Sequence, residues 1–111
     1  KLDRMAFPLG DLVSDTIESM QVLATDKGIA LTGAVAADVG SVFISPQHVQ
    51  RVLSNLIGNA LAHTQAGGSV HVEARRDTNR GVRVEVRDTG DGIALQDLPR
   101  VFERFYRGEP S

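Results

Sequence analysis

The chain has 111 residues, the length of one ordinary domain. Its 12 lysines and arginines against 14 aspartates and glutamates give a formal charge of −2, so composition supplies no basic surface for nucleic acid. No cysteine is present, which excludes disulfides and zinc–thiolate sites and fits a reducing cytoplasm. No apolar run approaches the roughly 20 residues that span a bilayer, so we expect no membrane insertion of this domain.

The N-terminal third predicts one helix. Residues 1–6 open on charge and are interpreted as the tail of an upstream linker, with the domain itself over residues 7–111. Asp11 lies where a helix N-cap is expected, and the helix is predicted to run to about Asp26. Spacings of four, three and four residues build its apolar stripe, which consists of Val13, Ile17, Met20 and Ala24.

The next segment predicts two short strands and a second helix. The strands are expected over residues 29–31 and 42–44, with a loop over residues 34–41 between them. Ser45 supplies a capping hydroxyl, and Pro46 occupies the first helical position, where no N–H is needed. This helix is predicted to end near Thr64, and its apolar positions are Val49, Val52, Leu53, Leu56, Ile57, Ala60 and Leu61.

The C-terminal half predicts a β-hairpin. Residues 70–75 and 82–87 alternate between apolar and polar, and residues 77–81 form the turn. Residues 88–93 then break the alternation, and a short helix is expected over residues 97–106. The mixture of helices with a hairpin that has one dry face predicts an α+β fold, a two-layer α/β sandwich in which a mixed sheet packs on helices.

Two asparagines stand four residues apart on the second predicted helix. Asn55 and Asn59 share one face, roughly 110–150° from the centre of the apolar stripe by the helical repeat. They are interpreted either as two solvated amides or as donors to a ligand. In the second case their oxygens could serve Mg²⁺, which prefers oxygen ligands, and their amide groups could serve phosphates.

Asp88 ends the second hairpin strand, before Gly90 and Gly92. Aspartate and glycine are common in turns, which is one interpretation of this segment. The other is a ligand site, because glycine lets a backbone approach a flat ligand closely. A carboxylate only accepts hydrogen bonds, so it would match the exocyclic amine of adenine and repel the 6-oxo group of guanine.

Taken together, three segments resemble the ATP-binding catalytic domain of sensor histidine kinases, in the wider family with gyrase, Hsp90 and MutL ATPases. They are residues 55–64 (N box), 88–93 (G1 box) and 102–107 (F box). The resemblance implies a Bergerat-type ATP-binding fold. It also implies that the second glycine box, with the strand and helix after it, lies beyond Ser111, so that the C-terminal part of the domain is missing here.

On the phosphate side, the resemblance implies that Asn59 ligates the Mg²⁺ of Mg-ATP and that Asn55 contacts the phosphates or the metal. His63 takes a position near the phosphates or ribose, and Arg107 matches an arginine that reaches the terminal phosphate in some members. Ala62 departs from the family pattern, which often has lysine or arginine there.

On the base side, Asp88 matches the carboxylate that reads the adenine amine. Gly90, Gly92 and Ile93 match the residues of the glycine-rich segment beside the base. The aromatic residues of the F box, Phe102 and Phe105, are expected to pack at the base of a lid.

The implied activity is phosphoryl transfer from Mg-ATP to a histidine on a separate dimerisation domain of the same protein, which then serves a response regulator. Hydrolytic relatives carry glutamate four residues before the metal asparagine, whereas this chain has Asn55, and an amide is a poor general base. The 111 residues alone are expected not to autophosphorylate. The resemblance implies a cytoplasmic domain, including the case of the cytoplasmic part of a membrane-anchored sensor.

Two alternatives stay open. One is a non-enzymatic or degenerate nucleotide-binding regulatory module. The other is a related serine kinase of the anti-sigma type, which the flanking sequence would distinguish.

Overall fold

The computed structural model describes residues 3–77 and 81–89, together with the backbone of residues 92–98 and 106–107. Two helices and seven strands lie within that part of the chain. In order they are β1 (Met5–Pro8), α1 (Leu9–Asp26), β2 (Ala30–Val35), β3 (Ser41–Ile44), α2 (Pro46–Ala62), β4 (Ser69–Arg76), β5 (Val82–Asp88), β6 (Gly92–Leu98) and β7 (Tyr106–Arg107).

The strands form a mixed five-stranded sheet and a small two-stranded sheet. The large sheet has the order β2-β4-β5-β6-β7, in which β2 runs parallel to β4 and every other neighbouring pair is antiparallel. The small sheet pairs β1 with β3 antiparallel. A right-handed parallel connection needs a crossover, and here β3 and α2 lie between β2 and β4. The two-layer architecture with a mixed sheet is therefore confirmed.

The core lies between the two helices and one face of the large sheet. The hairpin alternation is confirmed, because the alternate apolar residues of β4 and β5 are all buried: Val70, Val72, Ala74, Val82, Val84 and Val86. Burial of these side chains supplies the main driving force for folding. The largest fully buried hydrophobic side chains are Leu9, Val39, Ile44, Ile57, Leu61, Val70, Val72 and Val86.

The first helix begins three residues earlier than predicted. Pro8, and not Asp11, is its N-cap, and Leu9 is completely buried. The Leu9 N–H donates to the carbonyl of Gly40 at 3.1 Å, which fixes the start of the helix against the loop before β3. Asp11 instead lies in the first turn, where a carboxylate favours the positive end of the helix.

The second helix starts as predicted, but without the predicted cap. Pro46 stands at its beginning, and Ser45 has the extended backbone of an N-cap residue (φ −91°, ψ 105°). The Ser45 hydroxyl makes no capping hydrogen bond, so the expectation of a side-chain cap is wrong. The helix ends at Ala62 with His63 as its C-cap, slightly before the predicted end.

Two further predictions need correction. The loop expected over residues 34–41 begins later, because β2 extends to Val35 to complete a six-residue parallel ladder with β4. The helix expected over residues 97–106 is wrong at both ends. Asp97 pairs with Arg83 in the β5–β6 ladder, and Tyr106 belongs to β7. Hydrogen bonds between β6 and β5 therefore replace the helical hydrogen bonds expected around Asp97. Residues 99–105 lie outside the described part of the chain.

The outer face of the sheet contains a buried carboxylate. Glu85 leaves only 9% of its side chain exposed, although the alternation places it on the polar face. Arg75 donates from Nη2 to Glu85 Oε2 at 2.8 Å, and Arg87 Nη2 lies 3.3 Å from Oε1. The hydrogen bond from Arg75 is the largest cause that lowers the pKa of Glu85 below its ordinary value of 4.5.

This lowered pKa predicts a pH-dependent stability. The ionised form of Glu85 is favoured by folding, so its contribution is present above the unfolded-state pKa and is lost as pH falls through the lower folded-state pKa. Glu85→Gln should lower the free energy of unfolding by about 1–3 kcal/mol at pH 7. In urea unfolding, the difference between wild type and variant should shrink as pH falls below the ordinary value of 4.5.

An Arg75→Gln background is the control for this experiment. Without the guanidinium, Glu85→Gln should cost less at pH 7 and its effect should depend less on pH. Parallel pH profiles for wild type and Glu85→Gln would contradict the assignment.

Candidate functional site

The helix α2 presents the two asparagines on one exposed flank. Its opposite side is buried on the sheet, while Asn55 and Asn59 are exposed. Gly58 faces α1, because a Cβ atom added there would lie 3.8 Å from Met20 Cε. Asn59 is rotated about 100° from Gly58 around the helix axis. Both asparagines are exposed, so their amides are accessible to a ligand.

The C-terminal end of α2 is held by two threonine contacts. The Thr64 hydroxyl donates to the Ala60 carbonyl at 2.7 Å, which fixes the chain as it leaves the helix. A Cβ atom on Gly68 would stand 2.6 Å from Thr64 Cγ2 and 2.6 Å from Thr89 Oγ1. Because Gly68 has no side chain, Thr64, just after α2, and Thr89, just after β5, can both pack close to it.

Asp88 lies next to this contact. It is the last residue of β5, is partly buried, and has Val70 and Gly92 as its cross-strand neighbours. The Thr89 N–H donates to the Ser69 carbonyl at 3.1 Å, and the Ser69 N–H donates to Thr89 Oγ1 at 3.2 Å. These two hydrogen bonds fix the backbone immediately after Asp88 at the end of β5.

The structure thus brings the N box and the start of the G1 box to one edge of the sheet. Asn59 precedes Thr64 by five residues, or about 8 Å along a helix. His63 is exposed at the C-cap of α2. The close packing of Gly68 against Thr64 and Thr89 was not predicted from the sequence.

The other predicted site residues are placed less directly. Gly92 opens β6 opposite Asp88, and Ile93 pairs with Arg87. Arg107 lies in β7 opposite Gln96. Gln96 in turn pairs with Val84, so the backbone of Arg107 is two strands across from β5 and about 13 Å along it from Asp88. Gly90, Phe102 and Phe105 lie outside the described residues.

A metal ion at this edge of the sheet would need some of its oxygen ligands to come from a bound molecule. Within residues 3–77 and 81–89, no group of three or more His, Asp or Glu side chains could hold a metal ion. Asn59 offers one neutral, exposed amide oxygen, which fits Mg²⁺ when phosphates and water complete the shell. Neither helix of the described chain is long and apolar enough to span a membrane.

Comparisons with known proteins agree with this arrangement. A family model for histidine kinase-, DNA gyrase B- and HSP90-like ATPases matches residues 44–111. The signal transduction histidine-protein kinase BarA of Escherichia coli K12 is 34% identical over 114 residues, which cover 99% of this chain and 12% of BarA. The sensor histidine kinase CusS of the same strain is 37% identical over 103 residues, which cover 93% of this chain and 21% of CusS.

Solved structures give the same result. Full-length ShkA in complex with AMPPNP superposes with a TM-score of 0.75 at 29% identity, covering 81% of this chain and 19% of ShkA. The nucleotide-free catalytic domain of the histidine kinase ThkA superposes with a TM-score of 0.73 at 20% identity, covering 80% of this chain and 60% of that one.

The fold and these matches define a catalytic domain of the histidine kinase type. The chain belongs to the family of histidine kinase-, DNA gyrase B- and HSP90-like ATPases. It spans 12% of BarA and 21% of CusS, so those proteins contain much that this chain does not.

We predict opposite effects on the free energy of unfolding for two glycine-to-alanine substitutions, one at Gly68 and one at Gly10. Gly68→Ala should lower the free energy of unfolding by about 1–3 kcal/mol, because the new methyl group overpacks the contact between Thr64 and Thr89. Gly10→Ala is the matched control: no atom lies within 4 Å of its added Cβ, and it is in α1. That change should stabilise the chain by up to about 1 kcal/mol.

Urea unfolding measures both effects, and ¹⁵N chemical shifts locate them. Shifts confined to Gly68 itself, with Thr64 and Asp88 unmoved, would contradict the contact.

Proposed function

We propose that this chain is the Mg-ATP-binding catalytic domain of a two-component sensor histidine kinase. It donates the γ-phosphoryl group of ATP to a histidine on a separate dimerisation domain, which then serves a response regulator. The observation that supports the proposal is the close approach at Gly68, whose added Cβ atom would lie 2.6 Å both from Thr64, just after the N-box helix, and from Thr89, the residue after Asp88. The Asp88 carboxylate, which recognises the base, and the Asn55 and Asn59 amides, on the phosphate side, then face the same ligand.

Each site residue has a role that its position supports. Asp88 accepts a hydrogen bond from the exocyclic amine of adenine, and Gly92 gives the base close access to the backbone at the start of β6. Asn59 supplies one oxygen to Mg²⁺, and Asn55 contacts phosphate or metal from the preceding helical turn. His63, exposed at the C-cap, faces the phosphates or ribose.

Gly90 and Ile93 complete the base side, and Arg107 reaches the terminal phosphate. Because β6 lies between β7, which carries Arg107, and β5, which carries Asp88, that role requires the segment to move relative to β5. We propose that Arg107 belongs to the lid side of the site, which closes over the phosphates.

The residue types favour transfer over hydrolysis. Bound Mg-ATP supplies the phosphoryl group, and transfer requires positioning and charge stabilisation more than covalent chemistry by the protein. Asn55 cannot take a proton from water near neutral pH, whereas hydrolytic relatives have glutamate at this position. ShkA, with which this chain shares 29% identity, was solved with AMPPNP, which supports a nucleotide at this edge.

The names of the relatives support the proposed type of partner. BarA and CusS are named as histidine kinases, and a ThkA structure contains its response regulator. We propose that the phosphoaccepting histidine is outside this chain. The absence of cysteine fits a reducing cytoplasm.

A second candidate is a nucleotide-binding module without transfer activity. Ala62 favours it, since the family often has a basic residue there and Ala62 can contact no phosphate by charge. Incubating the chain with a dimerisation domain of a histidine kinase and γ-labelled ATP separates the two. Acid-labile label on the histidine supports the kinase; nucleotide binding without label supports the module.

Substitution of Asn59 tests the metal role. Asn59→Ala should weaken ATP binding in the presence of Mg²⁺ by about tenfold, because one ligand oxygen is lost. In EDTA the wild type and variant should bind nearly equally. Calorimetric titration with a non-hydrolysable ATP analogue gives both values.

Gln50→Ala is the matched control, because it removes an exposed amide from the same helix away from the site. Unchanged Mg-dependent affinity of Asn59→Ala would exclude the metal role.

Substitution of Asp88 tests base recognition. Asp88→Asn introduces an NH₂ group that can donate to the 6-oxo group of guanine, so the preference for ATP over GTP should fall about tenfold. Asp77→Asn makes the same change at the opposite end of the hairpin and should leave the preference intact. If Asp88→Asn retains full ATP preference, the carboxylate does not read the base.

A further inference from the structure

The large sheet has an open edge at β2. Within the part of the chain that the structure describes, β2 is the outermost strand and has β4 as its one neighbour. The Ala30 N–H donates to the Gly68 carbonyl at 3.1 Å, and the Ala36 N–H donates to the Ala74 carbonyl at 2.9 Å. Backbone groups alternate between the two edges of a strand, so the even-numbered residues of β2 face β4 and the odd-numbered ones face outward.

The outward groups of β2 are those of Leu31, Gly33 and Val35. Gln21 of α1 agrees with this direction, because its Nε2 donates to the Leu31 carbonyl at 2.7 Å. Among the described residues, no hydrogen bond reaches the outward groups of Gly33 and Val35. These two residues therefore offer N–H donors and C=O acceptors to which another extended strand can pair.

The strand β2 also lacks the features that usually protect an open edge. Its sequence is Ala-Leu-Thr-Gly-Ala-Val, which contains no charged residue and no proline. It pairs with β4 in an uninterrupted register over six residues, so no bulge interrupts the ladder. Natural edge strands generally carry charge, proline or a bulge to prevent pairing with another chain. A regular, uncharged edge is therefore suited to accept a strand.

A groove lies along this edge between β2 and α1. It has a volume of about 450 Å³, and its lining includes the apolar side chains of Val13, Ile17 and Val35 and the polar ones of Glu18 and Gln21. A strand added to β2 would place every second side chain on the helix side of the sheet, where this groove lies. The groove therefore provides side-chain selection in addition to the backbone pairing.

The charge of α1 selects among the possible occupants. The helix contains Asp11, Asp15, Glu18 and Asp26 but no lysine or arginine, and all four carboxylates belong to exposed residues. A second copy of this chain paired at the same edge would bring two such helices together, and like charges repel. A basic segment would be attracted instead. Charge complementarity therefore favours a basic partner over self-association.

We propose that the open edge of β2 binds an extended, basic polypeptide segment by strand addition. Gly33 and Val35 exchange backbone hydrogen bonds with this segment. On the helix side of the segment, an apolar residue packs on Val13, and a lysine or arginine two positions away extends its aliphatic stem over Ile17 toward Glu18.

This edge is separate from the proposed nucleotide site. Val35 pairs with Ala74, which is four residues along β4 from Val70, the cross-strand neighbour of Asp88. The distance along the sheet is about 13 Å. Strand addition and nucleotide binding can therefore each fail without the other.

Hydrogen exchange of the 111-residue chain, followed by ¹⁵N NMR, tests the pairing. The probe is a blocked hexapeptide, Lys-Thr-Val-Thr-Lys-Thr, which carries lysine and valine on one face. In the chain alone, the amides of Gly33 and Val35 should exchange faster than those of Thr32 and Ala34, which face β4. Saturating peptide should slow exchange at Gly33 and Val35 at least tenfold, and the absence of this protection would overturn the proposal.

Two N-methylated peptides test the backbone hydrogen bonds. One carries N-methyl groups on its lysines and valine, and the other carries them on its threonines. Because these two sets of N–H groups point to opposite edges of the peptide strand, one peptide should lose binding and the other should retain it. Binding of both peptides as tightly as the parent would show attraction by charge alone and would overturn strand addition.

The charge selection is tested by a peptide and by variants. Glu-Thr-Val-Thr-Glu-Thr should bind at least tenfold more weakly than the lysine peptide, and equal binding would overturn the basic partner. Glu18→Gln should weaken binding of the lysine peptide about threefold. Asp26→Asn is the matched control, because it removes a carboxylate from the last residue of the same helix and should leave the affinity nearly unchanged.

Self-association is the competing outcome. If Gly33 and Val35 become protected without peptide as the chain concentration rises, a second copy occupies the edge and the basic partner is overturned. Concentration-independent exchange at these two amides supports the proposal.

Discussion

The whole candidate site depends on one close approach in the fold. Gly68, which has no side chain, lies close to the side chains of two threonines. Gly68 allows Thr64, at the end of α2, and Thr89, after β5, to meet. The hydrogen bonds between Thr89 and Ser69 then hold this edge of the sheet together. Any larger residue at Gly68 would displace the Thr64 and Thr89 side chains, whose hydroxyls bond to backbone groups.

The helix α2 combines packing and recognition through its faces. One face is buried on β4 and β5 and anchors the helix, and α1 covers the flank at Gly58. Asn55 and Asn59 are exposed at the helical spacing of four residues, so both amides lie on the same side of the helix. The buried face anchors the helix, so the exposed asparagines are not needed for its packing.

The outer face of the sheet is charged, unlike the face that packs on the helices. No helix of the described chain covers it, and charged side chains occupy it in place of a second apolar layer. Glu85 is nevertheless buried there, because Arg75 and Arg87 extend over its carboxylate from neighbouring positions. Its charge is tolerated because both oxygens accept hydrogen bonds from guanidinium groups.

The sequence by itself determined the helices, the hairpin and the residue types of the site. Periodicity identifies these elements because each one buries a single face, and the order of the three boxes, through the family resemblance, identified Asn59 and Asp88 as partners. Only the tertiary structure decided what depends on distant contacts. The start of α1 follows from a bond to Gly40, the length of β2 from its ladder with β4, and the strand at Asp97 from the edge of β5. The contact at Gly68, the burial of Glu85 and the uncapped Ser45 are likewise invisible in the sequence, because each depends on side chains that only folding brings together.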